Sequence, residues 1–393
     1  MKTLIEIYDE RAIENVIGPE TFRPEDVVYL CPAEVAQNRR YQEKLKGFFA
    51  SRGLDVRLHF AECSMYKADT IYNQFHQIAG KYQDCTVDIT GGTDAALFAA
   101  GMFCQETGTP VFTYSRKKNR FYDISNASFA DDLPCELEYK VEEFFRMAGG
   151  QMREGRVDNT LLSGYMDKYE GFFQIFLKRR RRWPDAITFL QRISQVGREE
   201  EITLHVCGDY VQKGERGSRI KADESLLNEL QQLGFIQNLR IESGKSVEFD
   251  FTDLQVRSWL RDVGSVLELY MYKMCVDAGV FHDVVSSAVV DWDGSHQRDS
   301  VSNEIDVVAS RGVIPVFISC KATEVKTEAL NELAILRDRF GGKGAKAVIA
   351  TTEYCNSATR HRAAQLGITV IDREEMEAGV VPERLRIIIK AGK

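Results

Sequence analysis

The first third of the chain alternates between short apolar segments and longer amphipathic ones. The strand-like segments are TLIEIY (3–8), VVYLCP (27–32), LDVRLHF (54–60), CTVDIT (85–90) and PVFTYS (110–115). Apolar residues at helical spacing lie between them, near 37–53, near 67–80 and from 94 onward. This alternation predicts an α/β fold: a doubly wound, Rossmann-like domain over residues 1–135, with a parallel core and a hairpin at RKKNR (116–120).

The pattern changes twice after this domain. Residues 136–255 predict a helix-rich connector, in which the helix of SLLNELQQLGFIQ and the polar-tipped hairpin after it are winged-helix-like. Residues 256–393 predict a second α/β domain. Its predicted elements are a continuous helix WLRDVGSVLELYMYKMCVDAG (259–279), strands near 283–292, 304–310 and 314–320, a helix at 327–340, and the strands KAVIAT and ITVID with a helix between them.

Charge narrows the ways in which this chain can contact nucleic acid. The 393 residues have room for two or three domains, and their formal net charge is −8. This charge argues against a protein that coats nucleic acid by bulk electrostatics, so any contact must come from local basic patches. KRRRRW (178–183) is one such patch, and it is either a solvated helix end or a phosphate contact.

The cysteines and the apolar runs indicate the compartment. Nine cysteines are scattered singly, with no C-x-x-C pair and no histidine at zinc spacing, which is typical of a reducing cytoplasm and argues against a structural zinc site. The N-terminal segment MKTLIEIYDERA lacks the apolar core of a signal peptide, and no run approaches the roughly 20 apolar residues of a membrane span. We therefore expect a cytoplasmic protein without a membrane partner.

The segment VDITGGTDAALFAA (87–100) predicts a buried strand, a glycine turn and a small-residue helix. Such a turn presents free backbone N–H groups and the positive end of a helix to an anion; alternatively, its glycines serve only tight packing. It contains neither the Walker GK[ST] nor a G-x-G-x-x-G. Ligands of doubly wound sheets bind at the carboxyl ends of the strands. The candidate ligand-binding residues are therefore Tyr8, Asp9, Glu10, Arg11, Pro32, Ala33, Glu34, Thr90, Gly91, Gly92, Thr93 and Asp94.

The strand NEIDVVAS carries acids inside an apolar segment. Side chains alternate along a strand, so we expect Glu304 and Asp306 on one face, and Ile305 and Val307 on the other. After a turn, the strand VIPVFISCK delivers Lys321 next to Asp306. The alternative without a catalytic role is a strand with a solvated acidic edge and a lysine in a surface ion pair.

A further carboxylate, Glu268, lies upstream in the helix VGSVLELYMY. Carboxylates with a nearby lysine suit a metal-dependent phosphodiesterase. The carboxylates are hard oxygen ligands for Mg²⁺ or Mn²⁺, and the lysine orients the attacking water and offsets charge that develops on phosphorus. The acid–acid–lysine set therefore points to phosphodiester hydrolysis.

These residues resemble a known family. Asp306, the apolar strand and the S-C-K end of ISCK resemble the PD-(D/E)xK restriction-endonuclease-like nucleases, while T-G-G-T resembles the CARF sensor domain of CRISPR ancillary proteins. Their order, with G-x-x-x-E before N-E-I-D and F-G-G after the next helix, resembles the CARF-fused CRISPR ancillary nucleases that cyclic oligoadenylate activates. The resemblance covers about the first 130 and the last 140 residues.

For the catalytic site, the resemblance implies that Glu268 and Asp306 ligate the metal and that Lys321 assists the water. Ser319 departs from the motif, because its second acid normally stands there and a hydroxyl is a poor Mg²⁺ ligand beside a carboxylate. Three completions stay open. The missing ligand is Glu304, or an acid on the following helix, or additional water; the two acids on that helix are Glu328 and Glu332.

For the sensor, the resemblance implies a cyclic oligoadenylate activator, with cyclic tetra-adenylate preferred. A lysine often follows T-G-G-T in this family, whereas this chain has Asp94. A symmetric ring in a crevice that covers half of it implies a homodimer, and the substrate is DNA, RNA or both. The rival hypothesis is a non-catalytic CARF-type regulator that binds promoter DNA, in which the carboxylates are structural.

Overall fold

The computed structural model describes most of the chain and divides its strands among several sheets. The described residues are 1–125, 127–153, 162–195, 203–214, 217–292 and 301–390. Within these ranges, the strands form sheets of seven, six, three and two strands. No helix in the described ranges combines the length and the apolar composition that a membrane crossing needs.

The N-terminal sheet has the order β3-β2-β1-β4-β5-β6-β7, parallel from β3 to β5 and antiparallel beyond. Its strands are β1 (Thr3–Ile7), β2 (Asp26–Cys31), β3 (Arg57–Glu62), β4 (Cys85–Asp88), β5 (Val111–Ser115), β6 (Arg120–Asp123) and β7 (Leu133–Pro134). Its helices are α1 (Ile17–Phe22), α2 (Ala33–Ala36), α3 (Arg39–Ser51), α4 (Ala68–Lys81) and α5 (Asp94–Thr107), with a 3₁₀ turn at Ala12–Asn15. The predicted doubly wound sheet and its hairpin are confirmed.

The middle region contains the predicted helix and hairpin. Its elements are α6 (Val141–Met147), β8 (Gln151–Met152), α7 (Tyr169–Arg179), α8 (Trp183–Ile193), β9 (His205–Asp209), β10 (Val211–Lys213), β11 (Arg219–Lys221), α9 (Glu224–Gln232), β12 (Ile236–Glu242) and β13 (Ser246–Phe251), with a 3₁₀ turn at Arg180–Arg182. Strand β9 pairs with β13 and completes the sheet β12-β13-β9 beside α9. A helix followed by such a hairpin gives the region its winged-helix-like form.

The C-terminal sheet has the order β18-β17-β16-β15-β14-β8. Its elements are α10 (Leu254–Trp259), α11 (Ser265–Asp277), β14 (Asp283–Asp291), β15 (Ser302–Arg311), β16 (Ile314–Lys321), α12 (Thr327–Gly341), β17 (Lys346–Thr351), α13 (Ser357–Gln365), β18 (Ile368–Ile371), α14 (Arg373–Glu377) and α15 (Val381–Lys390). Strand β8 pairs with β14, so part of the predicted connector belongs to this sheet.

The predicted continuous helix over 259–279 is wrong, because the chain breaks it between α10 and α11. The carboxylate of Asp262 accepts the backbone N–H of Gly264 at 3.0 Å and that of Ser265 at 2.7 Å. These bonds satisfy donors at the start of α11, which a continuous helix would have paired with earlier carbonyls. The short helix α10 therefore ends at Trp259, and of the predicted range only Ser265–Asp277 forms the longer helix α11.

Two contacts fix the three regions against one another. One core cluster contains Trp183 and Leu227 of the middle region together with Met271 and Ile318 of the C-terminal sheet, so the core continues across the predicted boundary at residue 255. The loop after α12 packs against the N-terminal domain. A Cβ on Gly342, whose φ is +67°, would lie 2.6 Å from a methyl carbon of Ile13. The C-terminal domain therefore stands directly beside the strand ends of the N-terminal sheet.

Candidate active site and ligand crevice

A cavity of about 350 Å³ opens between α10, α11 and the strands β14 and β15. Three of the acids singled out from the sequence line it: Glu268 from α11, and Glu304 and Asp306 from β15. The other lining residues are Gln255, Ser258, Trp259, Asp262, Ser265, Leu269, Ser286 and Ser287. The fold thus brings together carboxylates that lie more than 30 positions apart in the chain.

Asp306 is oriented by the neighbouring strand β16. Its carboxylate accepts the backbone N–H of Cys320 and the hydroxyl of Ser319, the latter at 3.3 Å. The Lys321 ammonium lies 4.0 Å from the same oxygen. Burial raises the pKa of Asp306, while the Cys320 N–H and the Lys321 charge oppose that rise. Lys321 therefore stands beside Asp306, as the strand–turn–strand pattern predicted, and Ser319 contacts the same carboxylate.

The predicted alternation along β15 holds only for the acids. Glu304 and Asp306 line the same cavity, but Ile305 and Val307 pack in two different core clusters, so the prediction that they share a face is wrong. The strand ladder skips the pair Ser287–Asp306, and Ser287 has a φ of +52°. A left-handed residue in the neighbouring strand thus interrupts the regular pleat beside Asp306.

The cavity holds its carboxylates against mutual repulsion. Burial, together with the negative charges of Asp306, Asp262 and Glu304, raises the pKa of Glu268 to about 8. The described residues contain no group of three or more His, Cys, Asp or Glu side chains close enough to enclose a metal ion. Mg²⁺ nevertheless commonly takes one or two protein carboxylates and fills its other positions with water and substrate phosphate. Glu268 and Asp306 have the donor chemistry for such a site.

The structure separates the acids of the following helix from this cavity. Glu332 on α12 is exposed and accepts a hydrogen bond from the Asn303 amide at 2.9 Å. Glu328 is exposed at the start of the same helix. Buried residues of α12 pack in a different core cluster from those of α11, and neither acid lines the cavity. Among the acids considered as substitutes for the motif residue, Glu304 is the one placed with Asp306.

A larger crevice, of about 1010 Å³, lies at the carboxyl ends of β1, β2 and β4. The predicted ligand residues that line it are Tyr8, Asp9, Glu10, Arg11, Pro32, Glu34, Gly92 and Thr93. The predicted residues outside the lining are Ala33, Thr90, Gly91 and Asp94. Burial raises the pKa of Tyr8 to about 12, so its phenol enters the crevice as a neutral hydrogen-bonding group.

Both glycines of the turn are required by close packing. A Cβ on Gly91 would lie 2.7 Å from the Cβ of Asp9, and one on Gly92, at a φ of +102°, would lie 2.3 Å from a methyl carbon of Ile7. The Gly92 N–H donates to the Asp9 carboxylate at 3.1 Å. The expectation that this N–H group is free for an anion is therefore wrong, because Asp9 already occupies it.

The remaining residues of the turn have structural partners. The Thr90 hydroxyl is buried and accepts the backbone N–H of Tyr114 at 2.9 Å. The Thr93 side chain accepts the N–H of Ala96 and caps α5. Asp94 is exposed on the first turn of α5. The turn therefore shapes the crevice, while its own groups leave little positive charge there.

Besides Arg11, which the sequence analysis predicted, the cations that line the crevice come from the C-terminal domain, and the sequence interpretation missed these. Arg337, Arg339, Lys343 and Lys346 line the crevice from the end of α12 and the start of β17. The Lys343 ammonium lies 3.8 Å from the Asp9 carboxylate. The available signal was the basic residues around F-G-G in RDRFGGKGAK, a motif that had only been noted for its family resemblance. The cation absent at Asp94 is thus compensated from another domain.

The basic run of the middle region is mainly structural. Lys178 and Arg179 form ion pairs with Glu229. Arg180 pairs with Glu353 and donates to the carbonyl of Thr352 at 3.3 Å, which ties the middle region to the loop after β17. The last two arginines of the run, 181 and 182, are exposed. The helix-end interpretation fits the first three cations of the run.

Comparisons with known proteins agree with this geometry. Residues 256–386 match the family model of the Card1-like endonuclease domain. Protein VC1899 from Vibrio cholerae has the same fold, with a TM-score of 0.75 and 15% identity over 99% of this chain and 98% of that one. Can2 from Sulfobacillus thermosulfidooxidans, solved with cyclic tetra-adenylate, gives a TM-score of 0.68 and 17% identity over 98% and 99%.

A search of curated proteins finds no match. At these identities, the two solved structures establish the fold, and the family model matches the C-terminal domain. The C-terminal third is therefore similar to the Card1-like endonuclease domain, the chain as a whole has a Can2-like fold, and the resemblance to the CARF-domain CRISPR ancillary nucleases is confirmed.

Proposed function

We propose that this chain is a metal-dependent nuclease of type III CRISPR antiviral defence, activated by cyclic oligoadenylate, that cleaves phosphodiester bonds of DNA, RNA or both. The observation that supports the proposal is the convergence of Glu268 and Asp306 on one cavity, with the Lys321 ammonium 4.0 Å from Asp306, within the part of the chain that matches the endonuclease model. A transcription regulator would have no use for two partly buried carboxylates and a lysine at this place.

The proposed cofactor is Mg²⁺ or Mn²⁺, held by Glu268 and Asp306. When bound, such a cation polarises a phosphoryl oxygen and lowers the pKa of a coordinated water. Asp306 is kept in position by the Cys320 N–H and the Ser319 hydroxyl. Lys321, whose ammonium lies 4.0 Å from Asp306, would orient the attacking water and offset charge that develops on the scissile phosphate.

The proposed activator is cyclic tetra-adenylate, bound in the crevice at the N-terminal strand ends. Support comes from the crevice volume of about 1010 Å³ and from the cations that line it, since an oligonucleotide ring carries one negative charge per phosphate. Can2, which has the same fold, was solved with this ligand. Because most of these cations belong to the endonuclease domain and Arg11 belongs to the N-terminal domain, an occupied crevice would favour one arrangement of the two domains and thereby gate cutting.

We further propose that the chain acts as a homodimer. Phe98 and Met102 lie one turn apart on α5 and are 64% and 46% exposed, and Tyr66 at the crevice is 85% exposed. An apolar stripe beside the crevice suits a two-fold contact that closes a symmetric ring between two crevices. Light scattering should give twice the chain mass of 44.7 kDa. A monomer both with and without activator would contradict the dimer.

The proposed location is the cytoplasm. All nine cysteines are free, and burial raises the pKa of several of their thiols, among them Cys31 and Cys104. Unpaired, protonated thiols persist in a reducing compartment, where the nucleic acid of an invading element is also found. The proposed cytoplasmic location therefore rests on the chemistry of the cysteine thiols.

The test of the proposed function is a cutting assay. The protein is incubated with plasmid, labelled single-stranded DNA and labelled RNA, with Mn²⁺ and each of cyclic tri-, tetra- and hexa-adenylate. We expect cutting only when Mn²⁺ and an activating ring are both present, with chelator and linear tetra-adenylate as controls. Tight binding of promoter DNA, without cutting under any of these conditions, would favour the regulator instead.

A further inference from the structure

A second cavity, of about 540 Å³, adjoins the catalytic one and has no role in the proposed chemistry so far. It is lined by Gln191, Gln195, Leu254, Arg257, Ser258, Arg261 and Asp262, and is called here the arginine groove. Ser258 and Asp262 line both cavities. In this segment the groove is lined by positions 254, 257, 258, 261 and 262, and the carboxylate cavity is lined by positions 255, 258, 259 and 262. Two adjacent faces of α10 and the turn after it therefore form the wall that the cavities share.

Arg257 and Arg261 are two cations one helical turn apart without a carboxylate between them. The Arg257 guanidinium donates to the Ser194 carbonyl at 3.3 Å. The Nε atoms of both arginines are buried and have no hydrogen-bond partner. Among the described residues, neither forms an ion pair. The Asp262 carboxylate, which lines the same groove, accepts the N–H groups of Gly264 and Ser265 instead.

Holding these charges together is unfavourable unless an anion joins them. Like charges at this helical spacing repel, and burial together with the Arg261 charge lowers the pKa of Arg257. A buried donor without a partner also loses the hydrogen bond that water gave it. An anion with several oxygens would meet both needs, because a guanidinium binds phosphate through two parallel N–H groups.

We propose that the arginine groove binds a backbone phosphate of the nucleic-acid substrate, close to the phosphate that is cut; this rests on the proposed nuclease function. A helix with its side chains is about 10 Å across, and one DNA strand advances about 3.4 Å per nucleotide. The bound phosphate therefore lies within about three nucleotides of the cut. Gln191 and Gln195 also line the groove, and the Gln191 amide donates to the Arg261 carbonyl at 2.6 Å, which helps to hold the turn that carries Arg261.

The charge distribution gives a reason for such a groove. The catalytic cavity presents Glu268, Glu304 and Asp306, and the whole chain carries a formal charge of −8. Both would repel a polyanion, so substrate binding needs cations close to the cut. The basic run cannot fill this role with its first three members, which are already paired. Besides Lys321, the two arginines are cations of the described chain that line a cavity directly adjoining the carboxylates.

The test measures binding rather than cutting. The background is Asp306→Asn, so that the substrate survives, and the activator and Mn²⁺ are present throughout. Anisotropy of labelled duplex DNA, single-stranded DNA and RNA is followed over a salt series for Arg257→Ala, Arg261→Ala and the double variant. Each single change should weaken binding of the best ligand about tenfold and lower the salt slope by about one. The control is Arg362→Ala, an exposed arginine on α13, which should bind like the background.

Further variants keep the result interpretable if Arg257→Ala disturbs folding through its bond to Ser194. Arg261→Gln removes a side chain that donates no hydrogen bond from its Nε, and Arg261→Lys keeps the charge but loses the paired N–H groups. We expect Lys to retain the salt slope and to bind a few-fold more weakly. Unchanged affinity and salt slope in folded Arg261→Gln and in the double variant would overturn the proposal.

The experiment distinguishes a failure of the groove proposal from a failure of the proposed nuclease function on which it rests. If the parental chain binds nucleic acid through these arginines but cuts nothing with any ring and metal, the result would support the proposed phosphate-binding groove and contradict the proposed nuclease function. If the chain cuts and binds equally well without the arginines, the result would support the proposed nuclease function and contradict the proposed phosphate-binding groove.

Discussion

The ligand crevice and the catalytic cavity are built in different ways. At the crevice, backbone geometry decides the shape, because Gly91 and Gly92 leave no space for a Cβ, and most of the lining cations come from the other domain. At the cavity, Glu268, Asp306 and Lys321 all belong to one domain, and the feature that matters is the balance of their charges. The proposed ligand recognition would therefore depend on how the domains sit together, whereas the proposed chemistry would depend on groups within one of them.

The largest expected effect is at the cavity. Lys321→Ala and Asp306→Ala should each lower the single-turnover cutting rate by about a hundredfold or more, because preorganised charge acts mainly on the transition state. Activator affinity should not change, since neither residue lines the crevice. Lys390→Ala, which alters an exposed lysine at the end of α15, is the matched control. Parental rates in both catalytic variants would show that the cavity is not the active site.

A smaller effect is expected at the crevice, from a residue of the other domain. Lys343→Glu replaces a cation 3.8 Å from Asp9 with a second acid, so calorimetry should show cyclic tetra-adenylate binding about tenfold more weakly. The cutting rate at saturating activator should stay near the parental rate. Lys46→Glu makes the same charge change at an exposed position of α3 and serves as control. Equal affinity in the parental chain, Lys343→Glu and Lys46→Glu would contradict the proposal that the endonuclease domain contributes to the activator site.

The differences between these sites also explain which of them the sequence could reveal. Glu304, Asp306 and Lys321 were found together because strand alternation and a short turn are local rules. Glu268 depended on the family resemblance for its role, since nothing local connects α11 to β15. The crevice followed from the strand order, because ligands of doubly wound sheets bind at the strand ends.

Other features could not be found because they arise from tertiary contacts. Lys343 lies more than 300 positions from Asp9, and only the packing of one domain on the other brings them together. Ile305 and Val307 pack in different core clusters because Ser287 of the neighbouring strand interrupts the regular pleat. A pattern read along β15 alone does not include that residue. Local patterns therefore predicted elements well and predicted contacts between domains poorly.

A few-fold effect is expected from Ser319→Ala. The Ser319 hydroxyl donates to Asp306 over 3.3 Å, and Asp306 keeps the backbone N–H of Cys320 when that hydroxyl is lost. One neutral hydrogen bond of this kind contributes about 1 kcal/mol, which corresponds to roughly a fivefold change in rate. The single-turnover rate is measured over a Mn²⁺ series. A hundredfold loss that excess Mn²⁺ reverses would instead place the hydroxyl in the metal shell.

The smallest effect concerns stability at the floor of the crevice. Asp88 is fully buried beside Glu6 on the paired strands β1 and β4, and burial raises its pKa from 3.8 to about 7. Between those pH values the unfolded chain loses this proton while the folded chain keeps it, so the free energy of unfolding falls as pH rises. Asp88→Asn should therefore raise Tm by a few degrees more at pH 8 than at pH 5.

The amide introduced by Asp88→Asn would keep the acceptor that the carboxyl group offers to the Thr90 N–H, and it would add a donor towards Glu6. Asp55→Asn, at an exposed position, should show no such pH dependence. A Tm difference that is the same at both pH values would mean that Asp88 is ionised in the folded protein.

The central claim, that the crevice gates the cavity, is tested most directly by the ratio of single-turnover cutting rates with and without cyclic tetra-adenylate. We predict a ratio above about ten for the parental chain, in the usual range of allosteric coupling. In Gly92→Asp, an added side chain would meet Ile7 and place negative charge in the crevice. The ratio should then fall to about one, with the unactivated rate unchanged. A variant that keeps the parental ratio would contradict the account.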